Sequence, residues 1–443
     1  MAGKKIQAQR TPEEKLQQAL VPEAEQPYKV PANWCWTYVK YVSEVVTGGT
    51  PSKKHTEYYS GNFPFFKPAD LDAERYVYDA SEYLSEEGKK VSRIIPKYST
   101  AVCCIGSIGK SGYLEVEGTT NQQINSAIPK FNSLYLYYFI KSEYFIEQLW
   151  RKASATTISI VNKSKMEDCV FPLPPLTEQQ RIIERIESLF AKLDEAKENM
   201  QNVLEGFETR KAAILHKAFT GELTAKWRKQ HGVSMDTWEE KKLGKIVKNI
   251  KDKYEPTLNN KKCVKYIGLE HIEKNNGIIG FGSSDDVKSL KTIFELGDIL
   301  YGKLRPYLNK HDIAKFSGIC STDILVYRAE DFNTAKFINY FMNTEKFIFY
   351  TVSNSKGINL PRISEKEVSG ILVNVPTLSE QSEIVRIIDA LLAKEQQAKE
   401  LAENAITKID IIKKSILARA FRGELGTNNP ADESAVELLK RVL

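Results

Sequence analysis

The most constraining feature of this chain is a stretch of 53 residues that occurs twice, 202 positions apart and without a gap. The first copy covers 171–223 and the second covers 373–425. Of the 53 aligned pairs, 21 are identical, far more than chance produces. Each copy follows a block of unlike sequence. This duplication predicts two similar modules, each followed by one copy of a shared element, in a pseudo-two-fold molecule.

The repeated stretch has the pattern of a long helix. Thr177 is a suitable N-cap, Glu178 in the first turn favours the helix dipole, and no proline follows before Phe219. Such a helix of about 43 residues is about 65 Å long. Apolar residues recur in steps of four and three, which predicts a coiled-coil seam. In the first copy the predicted seam consists of Ile182, Ile186, Leu189, Leu193, Ala196, Met200, Val203 and Phe207.

The second copy keeps the same phase but has an uneven seam. A glutamate and several alanines interrupt its large apolar residues, so the helix should select one specific partner. Pairing of the two copies within the chain is the simplest way to cover both stripes, and a homodimeric coiled coil is the competing arrangement. The second predicted seam consists of Ile384, Ile388, Leu391, Glu395, Ala398, Ala402, Ala405, Ile409, Ile412 and Ile416.

Composition limits the class of protein. The chain has 443 residues, enough for two to four domains, with 42% hydrophobic and 27% charged residues and a formal net charge of +6. A mildly basic chain is compatible with a polyanionic partner without requiring one. The six cysteines form no C-x-x-C pair and the five histidines do not cluster, so reduced thiols, no zinc site and a cytoplasmic location are expected. No apolar run approaches the length that spans a membrane.

The unlike blocks read as α/β modules. Thr11 and Pro12 predict a short capped helix near the amino terminus. Short alternating runs broken by glycine and proline then predict strands, and the apolar stretch 134–150 predicts a buried helix. The segments 337–342 and 356–364 fall 202 positions after 135–140 and 154–162. The whole half-chain is therefore duplicated.

No catalytic motif is recognisable. The sequence GSIGKS at 106–111 has Cys104 where a phosphate-binding P-loop needs its first glycine, which favours a glycine-rich turn between strands. We also find no nucleophile elbow, zinc-protease motif, dinucleotide fingerprint or aminomethyltransferase tetrad. The chain is therefore not expected to be an enzyme by itself.

Four polar loops are candidates for nucleic-acid contact, because arginine, lysine, asparagine and glutamine reach phosphates and base edges. A lysine-dense stretch that includes Lys241, Lys245 and Lys253 either follows a phosphate backbone or forms a solvated helix face. Ordinary solvated loops are the alternative for each candidate. The candidate DNA-binding residues are Thr50, Ser52, Lys53, Lys54, Tyr58, Ser107, Lys110, Gln122, Tyr301, Lys303, Arg305, Lys310, Lys356, Asn359 and Arg362.

Taken together, the motifs resemble the specificity subunit of Type I restriction–modification enzymes over essentially the whole chain. PLPPLTEQQRI (172–182) and VPTLSEQSEI (375–384) close the two modules, and each is followed by a long helix that ends in KAFTGEL (217–223) or RAFRGEL (419–425). The opening 13–34 and the tail 432–442 also resemble that family.

The resemblance implies an α/β (α+β) fold with two similar target recognition domains, joined by two long antiparallel helices packed as an intramolecular coiled coil. Each domain would read one half of a bipartite double-stranded DNA target, while the helices set the spacer. A non-catalytic scaffold of two α/β modules on a coiled coil is the alternative function. The implied divisions are an N-terminal segment 1–27, recognition domains 28–173 and 236–375, and helical spacer regions 174–235 and 376–443.

The resemblance also implies partners. Modification subunits, normally two, would dock on the helical region and bring S-adenosylmethionine, and restriction subunits would bring ATP and Mg. This chain would bind no cofactor, no metal and no membrane. We expect the seam residues at the start of each helix to serve both helix pairing and subunit docking, namely Ile182, Ile186, Leu189, Leu193, Ile384, Ile388 and Leu391.

Overall fold

The computed structural model describes residues 11–72, 75–154, 158–256 and 264–443, and these residues form two compact units. The first unit contains the chain up to Asn199 together with Ala405–Leu443, and the second contains Met200–Asn404. Each unit therefore combines one module with parts of both long helices. The predicted divisions at 27, 173, 235 and 375 separate consecutive segments of the sequence. The boundaries of the compact units instead lie inside the two long helices, near residues 199 and 404.

The first unit is a mixed α/β structure in which short strands precede a group of helices. Its strands are β1 Cys35–Tyr38, β2 Ser43–Thr47, β3 Tyr59–Phe66, β4 Tyr76–Val77, β5 Glu82–Leu84, β6 Thr100–Cys103, β7 Ser111–Leu114, β8 Thr119–Thr120, β9 Ile124–Pro129 and β10 Val170–Leu173. Its helices are α1 Pro12–Ala19, α2 Val39–Val42, α3 Glu86–Lys90, α4 Ser133–Lys141, α5 Glu143–Lys152, α6 Lys163–Glu167 and the first part of α7 Leu176–Phe219.

The second unit repeats this plan. Its strands are β11 Glu239–Lys242, β12 Lys248–Ile250, β13 Lys253–Tyr254, β14 Lys265–Ile267, β15 Ile272–Glu273, β16 Gly277–Ile278, β17 Gly282–Ser283, β18 Lys291–Phe294, β19 Ile299–Gly302, β20 His311–Ile313, β21 Gly318–Cys320, β22 Ile324–Arg328 and β23 Leu372–Val375. Its helices are α8 Ala225–His231, α9 Leu243–Ile246, α10 Phe332–Phe341, α11 Glu345–Ser353, α12 Glu365–Gly370 and the first part of α13 Leu378–Ala420, whose last residues join α14 Ala435–Lys440 in the first unit.

The central sheets of the two units have the same topology. The first has the order β2-β9-β6-β7-β4 and the second β12-β22-β19-β20, so four strands correspond one to one. Trp36 of β1 pairs with Pro172 of β10, and Glu240 of β11 pairs with Asn374 of β23. The predicted duplication of the half-chain is confirmed at the level of strand order and register.

The two long helices run antiparallel wherever they meet within a unit. In the first unit Lys413 pairs with Asp194, and Lys197 pairs with Asp410 at 3.6 Å. In the second unit the Arg210 Nε donates to Glu395 at 2.7 Å. Residue numbers on one helix rise as those of their partners fall, which is the antiparallel arrangement. The predicted pairing of the copies within one chain is confirmed, and the homodimeric alternative is not needed to cover the seams.

The interruption at Glu395 is explained by its partner. Arg210 also donates to the Val203 carbonyl at 2.9 Å, so its guanidinium lies along its own helix. A Cβ at Gly206 would approach Arg210 Nη1 to 2.3 Å. The small residue in the first helix and the acidic residue in the second therefore belong to one contact, which gives the uneven seam a specific partner.

One predicted seam position is wrong. Ile412 is 45% exposed, and Lys413 lies beside it on the contacting face with its ammonium over the Phe190 ring at 5.1 Å. The heptad step therefore shifts by one residue after Ile409. A long lysine stem can cover apolar surface while its charge reaches a carboxylate, here Asp194.

The start of the first long helix also differs from the prediction. Helix α7 begins at Leu176, so Thr177 lies inside the first turn and does not cap it. In the second copy Thr377 precedes Leu378, and its Oγ1 accepts from the Glu380 amide at 3.4 Å. Pro175 occupies the corresponding position in the first copy and has no side-chain acceptor. The capping position is therefore two residues earlier than the sequence indicated, at 175 in the first copy and 377 in the second.

Each long helix is held at its start by a buried glutamate. The Trp34 indole donates to Glu178 at 2.7 Å, and the Trp238 indole donates to Glu380 at 3.0 Å. Both glutamates are fully buried. Further donors come from just beyond the other long helix: Thr224 reaches Glu380 at 2.7 Å and Asn428 reaches Glu178 at 2.8 Å.

The apolar stretch 134–150 is helical, but it forms two helices. Ser142 ends α4 and caps α5, accepting from the Phe145 amide at 3.3 Å. The predicted short helix near the amino terminus is confirmed: Thr11 caps α1 in a capping box with Glu14. In the same unit α1 packs near α14. The Ala435 amide at the start of α14 also donates to the Asn33 carbonyl at 2.9 Å.

Candidate nucleic-acid interface

The candidate loops of the first unit meet at one end of its central sheet. Thr47 at the end of β2 pairs with Asn125, and Cys103 at the end of β6 pairs with Ile124 at the start of β9. The segments that follow or precede these residues are 48–58, 104–110 and 119–123, which we call surface 1. Because adjacent antiparallel strands begin and end at the same edge, their loops lie side by side.

Hydrogen bonds fix these loops to one another. Thr50 Oγ1 donates to Gln122 Oε1 at 2.6 Å, and the Cys104 amide donates to the Gln123 carbonyl at 2.7 Å. The Cys104 carbonyl in turn accepts from Val161 at 2.9 Å, which brings the Ser154–Ile160 bridge alongside. The structure therefore brings together candidates that lie far apart in the sequence.

Surface 1 presents hydroxyl, amide and cationic groups to solvent. Among the predicted residues, Thr50, Ser52, Lys53, Lys54, Ser107 and Gln122 are exposed, whereas Tyr58 and Lys110 are half-buried. The Tyr58 ring stacks on His55 with centroids 4.9 Å apart. Within the described residues, Lys53 and Lys54 form no ion pair.

The GSIGKS segment is confirmed as a turn between strands. It connects the antiparallel strands β6 and β7, with Gly106 and Gly109 at φ values of 80° and 88°. These left-handed conformations favour glycine because it has no Cβ. A P-loop would instead connect a strand to a helix.

The second unit places its candidates at the corresponding end of its sheet. Gly302 at the end of β19 pairs with Ile324 at the start of β22, and β19 connects to β20 through 303–310. The Ile363 amide donates to the Lys303 carbonyl at 3.0 Å, and the Arg305 amide donates to Pro361 at 2.7 Å. The segments 303–310, 321–323 and 356–362 therefore form one surface, which we call surface 2.

Surface 2 is rich in cations, several of which are available to a ligand. Lys303 and Arg305 make no ion pair with any described residue. Arg362 pairs with Asp323 at 2.8 Å, and Lys310 Nζ donates to the Leu269 carbonyl at 2.7 Å. Lys356, Asn359 and Arg305 are exposed.

Arg305 has an unfavourable backbone conformation. Its φ is 53° and that of Asn309 is 40°, in the left-handed region that costs non-glycine residues of order 1–3 kcal/mol each. The contact to Pro361 holds Arg305 there, and the buried Asn309 amide donates to the Met342 carbonyl at 3.0 Å. The turn therefore fixes the backbone from which the exposed Arg305 side chain extends.

Tyr301 is a wrong candidate. Its side chain is completely buried in the core of the second unit, and its ring packs edge-on against Phe347 with centroids 5.4 Å apart. Burial raises its pKa to about 12. The exposed tyrosine of this segment is Tyr307, at 48%. All four residues of β19 are buried, so residue 301 lies in the core, whereas 307 lies in the following turn.

The assignment of seam residues to subunit docking also needs correction. Ile182, Ile186, Ile384 and Ile388 are fully buried within the cores of their own units, so they cannot contact another chain. Leu189, Leu193 and Leu391 are half-buried. Burial of each isoleucine stabilises its unit by roughly 1.5–3 kcal/mol.

The lysine-dense stretch lies mostly on strands and connecting turns, with Lys245 on the four-residue helix α9, so the alternative of one solvated helix face is wrong. Lys241 pairs with Glu239 at 2.7 Å, and Lys265 lies over the Phe281 ring at 4.6 Å. Lys261 and Lys262, which belong to the same predicted stretch, lie outside the described residues.

Sequence reasoning missed exposed aliphatic residues on surface 2 and in the segment beside surface 1. Ile358 is fully exposed, and Leu360 and Ile158 are 56% and 58% exposed at positions separated by 202. A polar-loop search passes over isolated aliphatic residues. The repeat itself was the available signal, because Ile158 and Leu360 occupy the same position in the two copies.

Other groups with chemical potential are few in the described ranges. Five cysteines, Cys35, Cys103, Cys104, Cys169 and Cys320, are free and buried, and Cys263 lies outside those ranges. No cluster of three histidine, cysteine, aspartate or glutamate side chains that could hold a metal ion occurs among the residues that the structure describes. None of the helices described there is long and apolar enough to cross a membrane.

A family model described as the Type I restriction modification DNA specificity domain matches residues 31–205 and again 235–406. The EcoDI specificity subunit from Escherichia coli is 30% identical over 339 residues, covering 70% of this chain and 75% of that protein. The StySPI specificity subunit from Salmonella potsdam is 25% identical over 452 residues, covering 94% and 96%.

Solved structures show the same fold. The HsdS subunit from Thermoanaerobacter tengcongensis has a TM-score of 0.63 at 17% identity, covering 90% of this chain and all of that one. A chain from a structure concerned with complex assembly in the type I R-M system has a TM-score of 0.69 at 16% identity, with the same coverage. The two matches of the family model cover most of the sequence, and the chain therefore belongs to the family of Type I restriction–modification DNA specificity subunits.

Proposed function

We propose that surfaces 1 and 2 each read one half of a bipartite double-stranded DNA target. The observation that carries this assignment is the repetition of the site. In both units the candidate loops occupy the same end of a sheet with the same strand order, although their sequences differ. Equal placement with unequal side chains is the pattern expected of two readers of different sequences.

The side chains suit the two tasks of a DNA reader. Lys303 and Arg305 are cations without a partner among the described residues, which suits phosphate or guanine contacts. Thr50 and Gln122 are joined by a hydrogen bond at 2.6 Å, so the glutamine amide is held in place. Glutamine can bond adenine through two hydrogen bonds. Exposed aliphatic residues such as Leu360 are suited to contact thymine methyl groups.

The long helices are proposed to set the distance between the half-sites. The ion pairs at Asp194, Lys197 and Arg210 fix the helix register within each unit. A change in helix length would then change the unread spacer. The recognition domains in this proposal are 28–173 and 236–375, with 174–235 and 376–443 as the helical regions.

The chemistry is assigned to partners. We infer that this chain catalyses no reaction and binds no cofactor or metal. Modification subunits, two in number, would supply S-adenosylmethionine, and restriction subunits would supply ATP-driven translocation with Mg. Access to chromosomal DNA would place the assembly in the cytoplasm.

Mapping modified bases in a genome tests the function directly. Cells that express this chain with its modification subunit should show methylated adenines in a motif of two short specified halves separated by unspecified bases. Replacing Arg305 and Lys303 together should change or abolish recognition of one half only. A contiguous motif, or an unchanged motif in the double variant, would contradict the two-surface assignment.

The alternative function, a scaffold that does not bind DNA, has a separate test. A mobility-shift assay of the assembled complex at low salt should show sequence-specific retention of the mapped motif. Absence of specific retention, with the complex intact by size-exclusion chromatography, would support the scaffold.

A further inference from the structure

The two units differ at a groove beside the ends of their long helices. In the second unit this groove has a volume of about 610 Å³ and is lined by the end of α7 and the start of α11. Its floor contains Leu215, Phe219 and Phe341, and its edges contain Ala212 and Asn374. Every lining residue belongs to the second unit.

The same place in the first unit is filled. Phe421 corresponds to Phe219 at the offset of 202, and Tyr28 covers it by donating to the Phe421 carbonyl at 3.2 Å. The Tyr28 ring packs edge-on against Trp36 and Tyr144, with centroids 4.9 and 5.5 Å apart. The Trp36 indole also donates to the Tyr28 carbonyl at 3.2 Å. This unit therefore supplies its own aromatic plug.

The aromatic floor of the groove is repeated, whereas the plug is not. Phe219 packs against Phe341 at 5.5 Å, and Phe421 packs against Phe139 at 5.2 Å, at matched positions. Trp36 pairs with Pro172, whereas the residue that pairs with Asn374 is the exposed Glu240. The second unit has helix α8 before this strand, and its Trp227 stacks on His231 at 4.4 Å.

The charges at the groove edge differ in a corresponding way. In the first unit Lys414 pairs with Glu143 at 2.9 Å. At the matched positions of the second unit stand Ala212 and Glu345, and Glu345 forms no ion pair with a described residue. The edge also carries Glu222 beside Lys217 and Lys346. The two carboxylates, Glu222 and Glu345, balance the two lysines, so the edge has no excess of positive charge to attract a phosphate backbone.

We propose that the groove of the second unit binds an extended segment of a protein partner that carries a tyrosine or tryptophan ring next to a lysine or arginine. The ring would take the place that Tyr28 takes in the first unit, and the cation would pair with Glu345 as Lys414 pairs with Glu143. Phe349, one turn after Glu345 and 75% exposed, extends the apolar surface. The choice of the modification subunit as the partner rests on the proposed function.

Site-specific cross-linking tests the occupant. The photoreactive residue p-benzoylphenylalanine is placed at Ala213, which lines the groove, or at Ser415, its exposed counterpart in the first unit. In the full complex with the co-expressed modification subunit, Ala213 should cross-link to that subunit at least ten times more efficiently than Ser415. Mass spectrometry should place the adduct within a few residues of a tyrosine or tryptophan that has a basic neighbour.

The second measurement is the affinity for the modification subunit when a larger side chain fills the groove. The substitution Ala212→Trp should weaken association with the modification subunit at least tenfold, whereas Ala212→Ser should not change it. Both variants should keep the thermal midpoint of the parent chain. Unchanged affinity of a folded Ala212→Trp chain, or an adduct to DNA, to a second copy of this chain or to a segment without an aromatic residue, would overturn the inference.

The outcomes separate this inference from the proposed function. If Ala212→Trp leaves assembly intact and the bipartite motif is still methylated, the groove assignment fails and the proposed function stands. If the parent chain forms no complex with the modification subunit, both fail. If assembly is lost in Ala212→Trp while the parent methylates the motif, both hold.

Discussion

The Trp34 indole donates to the buried Glu178 carboxylate at 2.7 Å, and this contact fixes the start of the first long helix to the module that precedes it. The second unit repeats the contact with Trp238 and Glu380. Around Glu178 the other donors, Thr427 and Asn428, are neutral. Around Glu380 one donor is the cation Arg228, at 2.6 Å. The repeated tryptophan–glutamate contact therefore has different electrostatics in the two units.

Replacing the two glutamates should have unequal effects. Glu380→Gln leaves the Arg228 charge buried without a counterion, which costs about 3–5 kcal/mol. Glu178→Gln removes charge from neutral hydrogen bonds and should cost about 1–3 kcal/mol. Urea unfolding followed by hydrogen exchange of each unit measures both values. The exposed Glu240→Gln serves as the control, and equal losses at positions 178 and 380 would contradict the explanation.

The helix register predicts how the spacer responds to insertions. We first consider one heptad inserted after Gln201 in α7 alone. The ion pairs of Asp194 and Arg210 with the second helix could then not both form, and the chain should be destabilised. Heptads inserted in both helices, after Gln201 and after Glu403, should restore pairing. Each adds about 10 Å of helix, so the methylated motif should gain about three unspecified base pairs. An unchanged spacer in the paired insertion would contradict the role of the helices.

Surface 2 should show its cations in the salt dependence of DNA binding. Lys303→Ala should lower the slope of log affinity against log salt by about 1 if the ammonium contacts a phosphate. Arg305→Ala should cost about 1–3 kcal/mol at one half-site if the guanidinium contacts a base. Fluorescence anisotropy of the full complex at several salt concentrations measures both.

Two control variants accompany that measurement. Tyr301→Phe should leave DNA affinity unchanged because the side chain is fully buried. Lys248→Ala removes an exposed lysine of β12 away from surface 2 and should have little effect on specificity. A loss of specificity in either control as large as that in Arg305→Ala would move the interface elsewhere.

His311 should make the second unit sensitive to acid. Burial lowers its pKa, against the opposing effects of the Asn339 hydrogen bond and the nearby Asp312. The ring nitrogens contact Asn339 at 2.7 Å and Asn309 at 3.2 Å, which suits a neutral imidazole that donates through one nitrogen and accepts through the other. Lys211 opposes protonation as well.

The sign follows from proton linkage. The unfolded chain binds a proton at His311 near its ordinary pKa of about 6.5, whereas the folded unit does not until lower pH. The contribution of His311 to stability is therefore complete above about pH 6.5 and declines as the pH falls below it. His311→Gln should show a shallower decline between pH 6.5 and 5 in hydrogen exchange of peptides covering β20. An identical decline in the variant would exclude His311 as the cause.

The residue types of the candidate site could be predicted from the sequence, but which loops lie together could not. Loop chemistry identified Thr50, Gln122, Lys303 and Arg305, and the structure joins them in two surfaces. The same reasoning wrongly included Tyr301, because β19 is buried at all four positions and so short a strand has no periodicity that separates core from surface. It missed Ile358, because an exposed aliphatic residue has the same sequence signature as a buried one.

The sequence by itself determined the duplication, the helical character and length of the repeated stretch, the pairing of its two copies and the family. These properties depend on periodicity and spacing, which are local and are preserved in the order of residues. Only the tertiary structure decided which residues meet. The contacts of Glu178 with Asn428, of Glu395 with Arg210 and of Tyr28 with Phe421 join positions separated by 250, 185 and 393 residues. Such contacts depend on how the strands and helices pack, and no local pattern specifies them.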